Sequence, residues 1–190
     1  MVAWLLGEAE RTPVYSAWEN LHWADPSALE LPQLFIDQVP TGAQLARGYL
    51  LALPAEAYEK VGRIEEGLTA LTEALTVVDK TGERWYEAEL HRLKGELSLQ
   101  SRPVKASHNK SQASLKSEAE ECFLQALEIA RRQQAKSLES RATMSLARLW
   151  QQQGKKRQAR QMLVEIYGWF TEGFDTKDLQ EAKALLDSFT

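Results

Sequence analysis

The sequence predicts an all-α fold in which helices are paired and the pairs are stacked in a row. From residue 42 to the end, apolar residues recur at steps of three and four, which is the spacing of a buried helix face. No window sustains the alternation of apolar and polar residues expected of a strand, and the one strand candidate is TPVYSAW near the start. The helical stretches also resemble one another, which indicates a repeat architecture.

We expect two regions along the chain. Residues 1–41 form a short N-terminal appendage, and residues 42–190 form a helical repeat domain of about three helix pairs, closed by a terminal capping helix over DTKDLQEAKALLDSF. This is about the smallest number of pairs that makes such a stack stable. Residues 101–117, SRPVKASHNKSQASLKS, contain Pro and several basic residues but no acid, and we expect them to form an inserted basic loop within the middle pair.

Two segments carry the clearest repeat, residues 55–75 and residues 147–167. In each, an aromatic residue stands four places before a Gly, a small residue follows the Gly by five places, and a large apolar residue follows four places later. These positions are Tyr58 and Trp150, Gly62 and Gly154, Gly67 and Ala159, and Leu71 and Leu163. The pattern resembles the tetratricopeptide repeat, in which small residues let two antiparallel helices approach closely and a Gly lets the chain reverse between them.

The middle pair follows the same pattern less closely. AELHRLKGELSLQ supplies its first helix, with Gly95 at the place of the repeat Gly. EAEECFLQALEIARRQQ supplies its second helix, with Ala119, Phe123 and Ala126 at the small, large and small places. We expect the Glu residues that begin this second segment to open the helix and to stabilise its N-terminal dipole.

The start of the chain carries a second resemblance. Residues 15–27, YSAWENLHWADPS, place an acidic residue after a short apolar run and follow it with Leu-His-Trp and Asp-Pro-Ser. This text resembles the Walker B strand and following helix of bacterial STAND-type ATPases of the AAA superfamily. The text from YEAELHRLKGEL to the end resembles the tetratricopeptide tail that follows such an ATPase in bacterial signalling proteins with an adenylate cyclase or protein kinase domain.

The chain departs from the ATPase pattern where nucleotide chemistry would take place. It has no G-x-x-x-x-G-K-[ST] segment, so a phosphate-binding loop is missing. Glu19 is followed by Asn20, whereas the ATPases that the segment resembles have two carboxylates at the end of the strand. We therefore interpret residues 1–41 as a Walker B-like remnant or docking segment. We expect a protein that is not an enzyme, with no catalytic residue and no cofactor.

The other reactive and aromatic side chains have structural interpretations. Cys122 is the single Cys, so no intramolecular disulfide can form and a reducing compartment is indicated. MVAWLLGEAER is neither a signal peptide nor long enough to span a membrane, and we expect a cytoplasmic protein without a membrane partner. The three His are too scattered to form a metal site. We expect most of the six Trp to pack in the core.

Charge is distributed unevenly along the chain. Residues 1–100 carry eight Lys or Arg against sixteen Asp or Glu, whereas residues 131–160 carry nine Lys or Arg against Glu139 alone. Such polarity steers a charged partner or pairs the two halves of the chain with each other. The sequence leaves both outcomes open.

The resemblance to tetratricopeptide repeats implies a place for a partner. In such arrays the first helix of each pair lines a concave surface that receives peptides or partner helices. On this chain the implied groove residues are Glu56, Glu59, Glu89, Arg92, Glu96, Arg141, Arg148 and Gln152. The groove would run from acidic to basic, which suits a protein or peptide partner of mixed charge.

Three alternatives to a peptide groove stay open. The same face could pack against an ATPase domain or against a second copy of the chain, which would make a homo-oligomer. The N-terminal segment could instead dock on a separate signalling ATPase and regulate it. Nucleic-acid binding through the basic third pair is the least favoured of these, and it predicts an affinity that falls steeply with added salt.

Overall fold

The structure is a computed structural model that describes Ala52, Ala55, Tyr58, Glu59 and the ranges 61–101 and 111–189. Within this part of the chain there are six complete helices and no strand, which confirms the all-α prediction. The four isolated residues are also helical. The predicted appendage with its strand candidate, Glu56 of the predicted groove and positions 102–110 of the predicted loop lie outside the described residues.

The six helices are α1 (Ile64–Thr81), α2 (Glu87–Gln100), α3 (Gln112–Arg132), α4 (Lys136–Gln152), α5 (Lys156–Tyr167) and α6 (Lys177–Asp187). Each helix packs on the next one in sequence, α2 also packs on α4, and α4 also packs on α6. The terminal helix predicted from the sequence is present as α6 and continues the row formed by α2 and α4.

The start of α3 differs from the prediction. The helix begins at Gln112, so positions 112–117 of the predicted inserted loop are helical. The hydroxyl oxygen of Ser111 accepts a hydrogen bond from the Ser114 backbone N–H at 3.2 Å and so caps the start of the helix. The helix therefore begins before the segment in which the sequence shows an apolar face. The Glu residues at 118, 120 and 121 therefore lie inside α3, and the prediction that they open the helix was wrong.

The distance between α2 and α3 is set by a small residue that faces a large one. A Cβ atom at Gly95 of α2 would lie 2.6 Å from Cε1 of Phe123 on α3, so the ring occupies the space of the missing side chain. Phe123 is fully buried. Between α1 and α2 a small residue faces Leu instead, because a Cβ atom at Gly67 of α1 would lie 2.8 Å from Cδ1 of Leu97 on α2.

The residues at the place of the repeat Gly, which are Gly62, Gly95 and Gly154, have two different roles. Gly62 and Gly154 lie in the turns before α1 and α5 with φ of 75° and 79°, a conformation that L side chains rarely adopt, which confirms their predicted place in chain reversals. Gly95 lies in the interior of α2 and serves close packing. It is therefore not equivalent to the other two. The turn between α3 and α4 reverses at Gln134, with a φ of 56°.

Two of the three described Trp residues depart from the prediction of a core position. Trp85 and Trp169 are 52% and 56% exposed, and Trp150 is partly buried. Trp4, Trp18 and Trp23 lie outside the described residues. Trp85 precedes α2 and Trp169 follows α5, so neither lies on a helix whose apolar face would carry it into the core. Cys122, in contrast, is buried on α3.

We predict that Gly95→Ala destabilises the protein by about 2 kcal/mol, because the added methyl overlaps the buried Phe123 ring. Helix propensity alone would give the opposite sign, since Ala is favoured over Gly by about 1 kcal/mol. The measurement is the free energy of unfolding in urea.

Phe123→Leu provides the matched second change, because the smaller side chain vacates part of the space that the added methyl group needs. In the Gly95→Ala background it should restore part of the lost stability, whereas alone it should destabilise by opening a cavity. Strictly additive effects of the two changes would show that the Gly95–Phe123 contact does not limit the approach of α2 and α3.

Candidate functional site

The centre of the predicted groove is an ion pair within α2. Arg92 donates from Nε to Oε2 of Glu89 at 2.9 Å and from Nη2 to Oε1 at 2.8 Å. Its Nη1 lies 2.6 Å from Oε1 of Glu96. Residues three and four apart share one face of a helix, so the sequence places all three groups together. The side chains of Glu89 and Arg92 are 1% and 13% exposed, which makes this a buried, two-pronged pair.

Two side chains of α4 bind the carboxylates of α2. Arg141 Nη1 donates to Oε1 of Glu89 at 3.3 Å, and the hydroxyl of Ser145 donates to Oε1 of Glu96 at 2.6 Å. Residues 49 and 52 positions apart in sequence are therefore joined. The ion pair within α2 thus becomes a lateral tie between two helices of the row.

Two acidic side chains of α6 complete the set. Arg141 Nε donates to Oδ2 of Asp178 at 2.7 Å, and Arg148 Nη2 donates to Oε2 of Glu181 at 3.0 Å. Neither acid was predicted to be a site residue. Their three-residue spacing, which places both on one side of α6, is a signal in the sequence that could have indicated them. The buried Leu179 lies on another side of this helix. We call the eight residues the charged row: Glu89, Arg92, Glu96, Arg141, Ser145, Arg148, Asp178 and Glu181.

Exposure increases along the charged row from α2 towards α6. Glu89 is buried and cannot contact a partner at the surface, which corrects its predicted role as a groove residue. Arg141 is 39% exposed, and Arg148 and Glu181 are each 43% exposed. Gln152, the last residue of α4, is also exposed. The part of the predicted groove open to a partner therefore lies at α4 and α6.

Glu59, the remaining described residue of the predicted groove, lies before the turn that leads into α1. Glu59 is partly buried, and its Oε1 accepts a hydrogen bond from Nε2 of Gln100, the last residue of α2, at 2.7 Å. This bond joins the helical segment before α1 to the end of α2. Glu59 thus extends the lateral contacts of the row by one further helix, without belonging to the charged row itself.

The charges of the row hold one another in the ionised state. Burial by itself would raise the pKa of Glu89, but the charges and hydrogen bonds of Arg92 and Arg141 outweigh it and keep this pKa below its ordinary value. Burial opposes the charge of both guanidiniums as well, yet the acids beside them raise the pKa of Arg92 and Arg141. Acidic and basic residues from distant parts of the sequence are therefore paired here, in place of the open gradient that was expected.

A second polar cluster joins α3 to the turn before α5. Oε1 of Glu120 accepts from Nε1 of Trp150 at 2.7 Å and from Nζ of Lys155 at 2.9 Å, and Oε2 accepts from Nε2 of Gln153 at 3.2 Å. These donors lower the pKa of Glu120 although burial opposes them. Lys155 Nζ also lies 5.5 Å from the centre of the Trp150 ring. Glu120 is thus a tie between helices.

His91 is a buried base on α2 that lies outside the charged row. It is 9% exposed, and its Nδ1 has no hydrogen-bond partner in the described part of the chain. Burial and the nearby charge of Lys94 together lower its pKa to about 4, although the charge of Asp79 opposes them. The folded protein therefore holds His91 neutral at pH 7.

The described residues provide little chemistry beyond charge pairing. Burial raises the pKa of the Cys122 thiol, which disfavours the reactive thiolate. Among the ranges that the structure covers, no group of three His, Cys, Asp or Glu is arranged to hold a metal ion. No described helix is both long and apolar enough to cross a lipid bilayer.

We predict that Glu89→Gln lowers the free energy of unfolding by about 3 kcal/mol, because it leaves a buried guanidinium with less than its full countercharge. Glu181→Gln is the matched control, since both members of its pair are 43% exposed and an exposed pair contributes below about 1 kcal/mol. Urea unfolding at pH 7 distinguishes the two. Equal, small losses would show that the charged row does not hold α2 to α4.

We predict a loss of stability on acidification from pH 6.5 to 4 that depends on His91. The unfolded chain binds a proton on this residue near pH 6.5 and the folded chain near pH 4, so protonation favours unfolding as the pH falls. Urea midpoints measured at steps of one pH unit should fall less in His91→Gln than in the unaltered chain over this window. The depressed pKa of Glu89 acts at lower pH, below its unfolded value of about 4.3. An unchanged slope in His91→Gln would contradict the prediction.

Comparison of the chain with protein-family models finds no match, and comparison with curated proteins finds none. The resemblance to tetratricopeptide repeats and to STAND-type ATPases therefore stays a prediction, as does an origin in bacterial signalling proteins. The helix packing and the charged row are the features from which a function is to be inferred.

Proposed function

We propose that this chain is a non-catalytic protein-interaction module built as a tetratricopeptide-like solenoid. The support for the solenoid is the packing of alternate helices, because α2, α4 and α6 lie beside one another while α3 and α5 connect them. In a stack of helix pairs the first helices of successive pairs contact each other in this way. The single buried Cys is consistent with a reducing, cytoplasmic setting.

The face formed by α2, α4 and α6 receives the partner in this proposal. The observation that carries it is the open end of the charged row, where Arg141, Arg148 and Glu181 are held in position by ion pairs yet stay two-fifths exposed. A guanidinium carries five donors, and Arg148 uses one of them, on Nη2, to bind Glu181. The others can bind carboxylate or backbone carbonyl groups of a peptide.

Pre-organisation is the physical advantage of such a face. Each Arg side chain that is already fixed loses little further rotamer freedom when a partner binds, which lowers the entropic cost of association. The bond of Arg141 to the buried Glu89 joins α4 to α2 beneath the exposed groups. A partner of mixed charge, in an extended or helical conformation, suits the alternation of acids and bases on this face.

We predict that Arg148→Ala combined with Gln152→Ala weakens partner binding at least tenfold. Both residues are exposed at the end of α4, and the pair that Arg148 forms is exposed, so the fold should be retained. Peptides would be selected from a displayed random library on the full chain, and their affinities measured by fluorescence anisotropy. Gln125→Ala, an exposed position on α3, is the matched control and should leave the affinity unchanged. Selected peptides that bind the double variant as tightly as the unaltered chain would contradict the proposal.

A further inference from the structure

The cations of the third helix pair fall into two groups. Between Glu139 and Glu165 the sequence contains six Lys or Arg and no acid. The fold brings acids to three of them: Arg141 meets Glu89 and Asp178, Arg148 meets Glu181, and Lys155 meets Glu120. The other three are Lys156, Arg157 and Arg160.

Lys156, Arg157 and Arg160 lie exposed on the first turns of α5. Within the described part of the chain, none of the three has an ion-pair partner. No acidic residue occupies the first turn of α5, and no side chain caps its start. Cations at the positive end of a helix dipole repel it, so the fold gains no stability from this cluster.

An apolar side chain continues the face that carries the cations. Arg157, Arg160 and Val164 are spaced three and four apart, so they share one face of α5. Val164 is 46% exposed. The strip therefore presents positive charge at one end and an apolar contact two turns away, about 10 Å along the helix.

We propose that this strip on α5 is a docking surface for an acidic helical segment of a partner protein. For charge complementarity, the partner segment must place Asp or Glu residues opposite the three cations. It must also carry an apolar residue about two turns further along, where it would contact Val164. The proposal goes beyond the peptide face described above, because α5 contributes no residue to the charged row.

A protein segment fits the strip better than nucleic acid does. The chain carries a net charge of -4 and has a pI of about 5.5, whereas nucleic-acid-binding domains are typically strongly basic. Three cations supply few phosphate contacts. Val164, exposed on the same face of α5, can contact an apolar side chain of a protein, whereas a phosphate backbone offers no apolar group for it to contact.

The probe for the test is a fluorescein-labelled peptide of three Glu-Glu-Leu-Ala repeats, measured by anisotropy on the full chain at low salt. Its analogue with Gln in place of every Glu serves as the uncharged reference. We expect the acidic peptide to bind, and the combined change Lys156→Gln, Arg157→Gln and Arg160→Gln to weaken this binding about tenfold. Val164→Asn should weaken it by a smaller factor.

The matched control removes the same number of charges elsewhere. Lys80→Gln, Arg132→Gln and Lys183→Gln alter exposed cations of α1, α3 and α6, and the acidic peptide should bind this variant within about twofold of the unaltered chain. The α5 variant should unfold at an equal or higher urea concentration than the unaltered chain, because repulsion with the helix dipole is removed. Lost binding could then not be attributed to unfolding.

Four results would overturn the docking proposal. They are absence of binding by the acidic peptide, equal binding of the Gln analogue, equal losses in the two triple variants, and tighter binding of a twelve-nucleotide single strand through the same three residues. The combined change Arg148→Ala and Gln152→Ala should leave the binding of this peptide unchanged. Failure of the α5 strip and failure of the peptide face are therefore distinguishable.

Discussion

The buried carboxylate of Glu89, which binds Arg92 of its own helix and Arg141 of α4, is the group on which the lateral order of the helices depends. A charge removed from water is tolerated only where its partners are well placed, so the carboxylate and the two guanidinium groups fix one another's positions. Arg141 adds a second cation to Glu89 and at the same time binds Asp178 of α6. One buried carboxylate on α2 therefore links the positions of three helices.

Helix pairing within the stack has a different physical basis. The small residue of one helix faces a large residue of the next, and the fit is tightest where Gly95 meets Phe123. Apolar contacts of this kind set the distance between helices, because the side chains interdigitate at close packing. Ion pairs such as Arg141 with Asp178 add contacts of directional geometry between helices that lie side by side.

The fold separates the cations of the third pair by whether they are neutralised. Arg141, Arg148 and Lys155 are paired with acids from other helices, and they are consequently part of the architecture. Arg157 and its neighbours on α5 stay without such partners among the described residues and contribute charge to the surface. A run of basic residues in a sequence can therefore contain structural and accessible members side by side, and only their surroundings distinguish them.

The sequence by itself determined the all-α class, the turn positions of Gly62 and Gly154 and the apolar faces of the helices, because periodicity and backbone preference act between near neighbours in the chain. Tertiary structure alone decided that Glu89 is buried and which acids neutralise which cations. It also decided that Gly95 serves packing and that Trp85 is exposed. The partners of Arg141 lie 37 and 52 positions away, and no local pattern encodes such distances. Only the packed arrangement of the helices brings those groups within reach of one another.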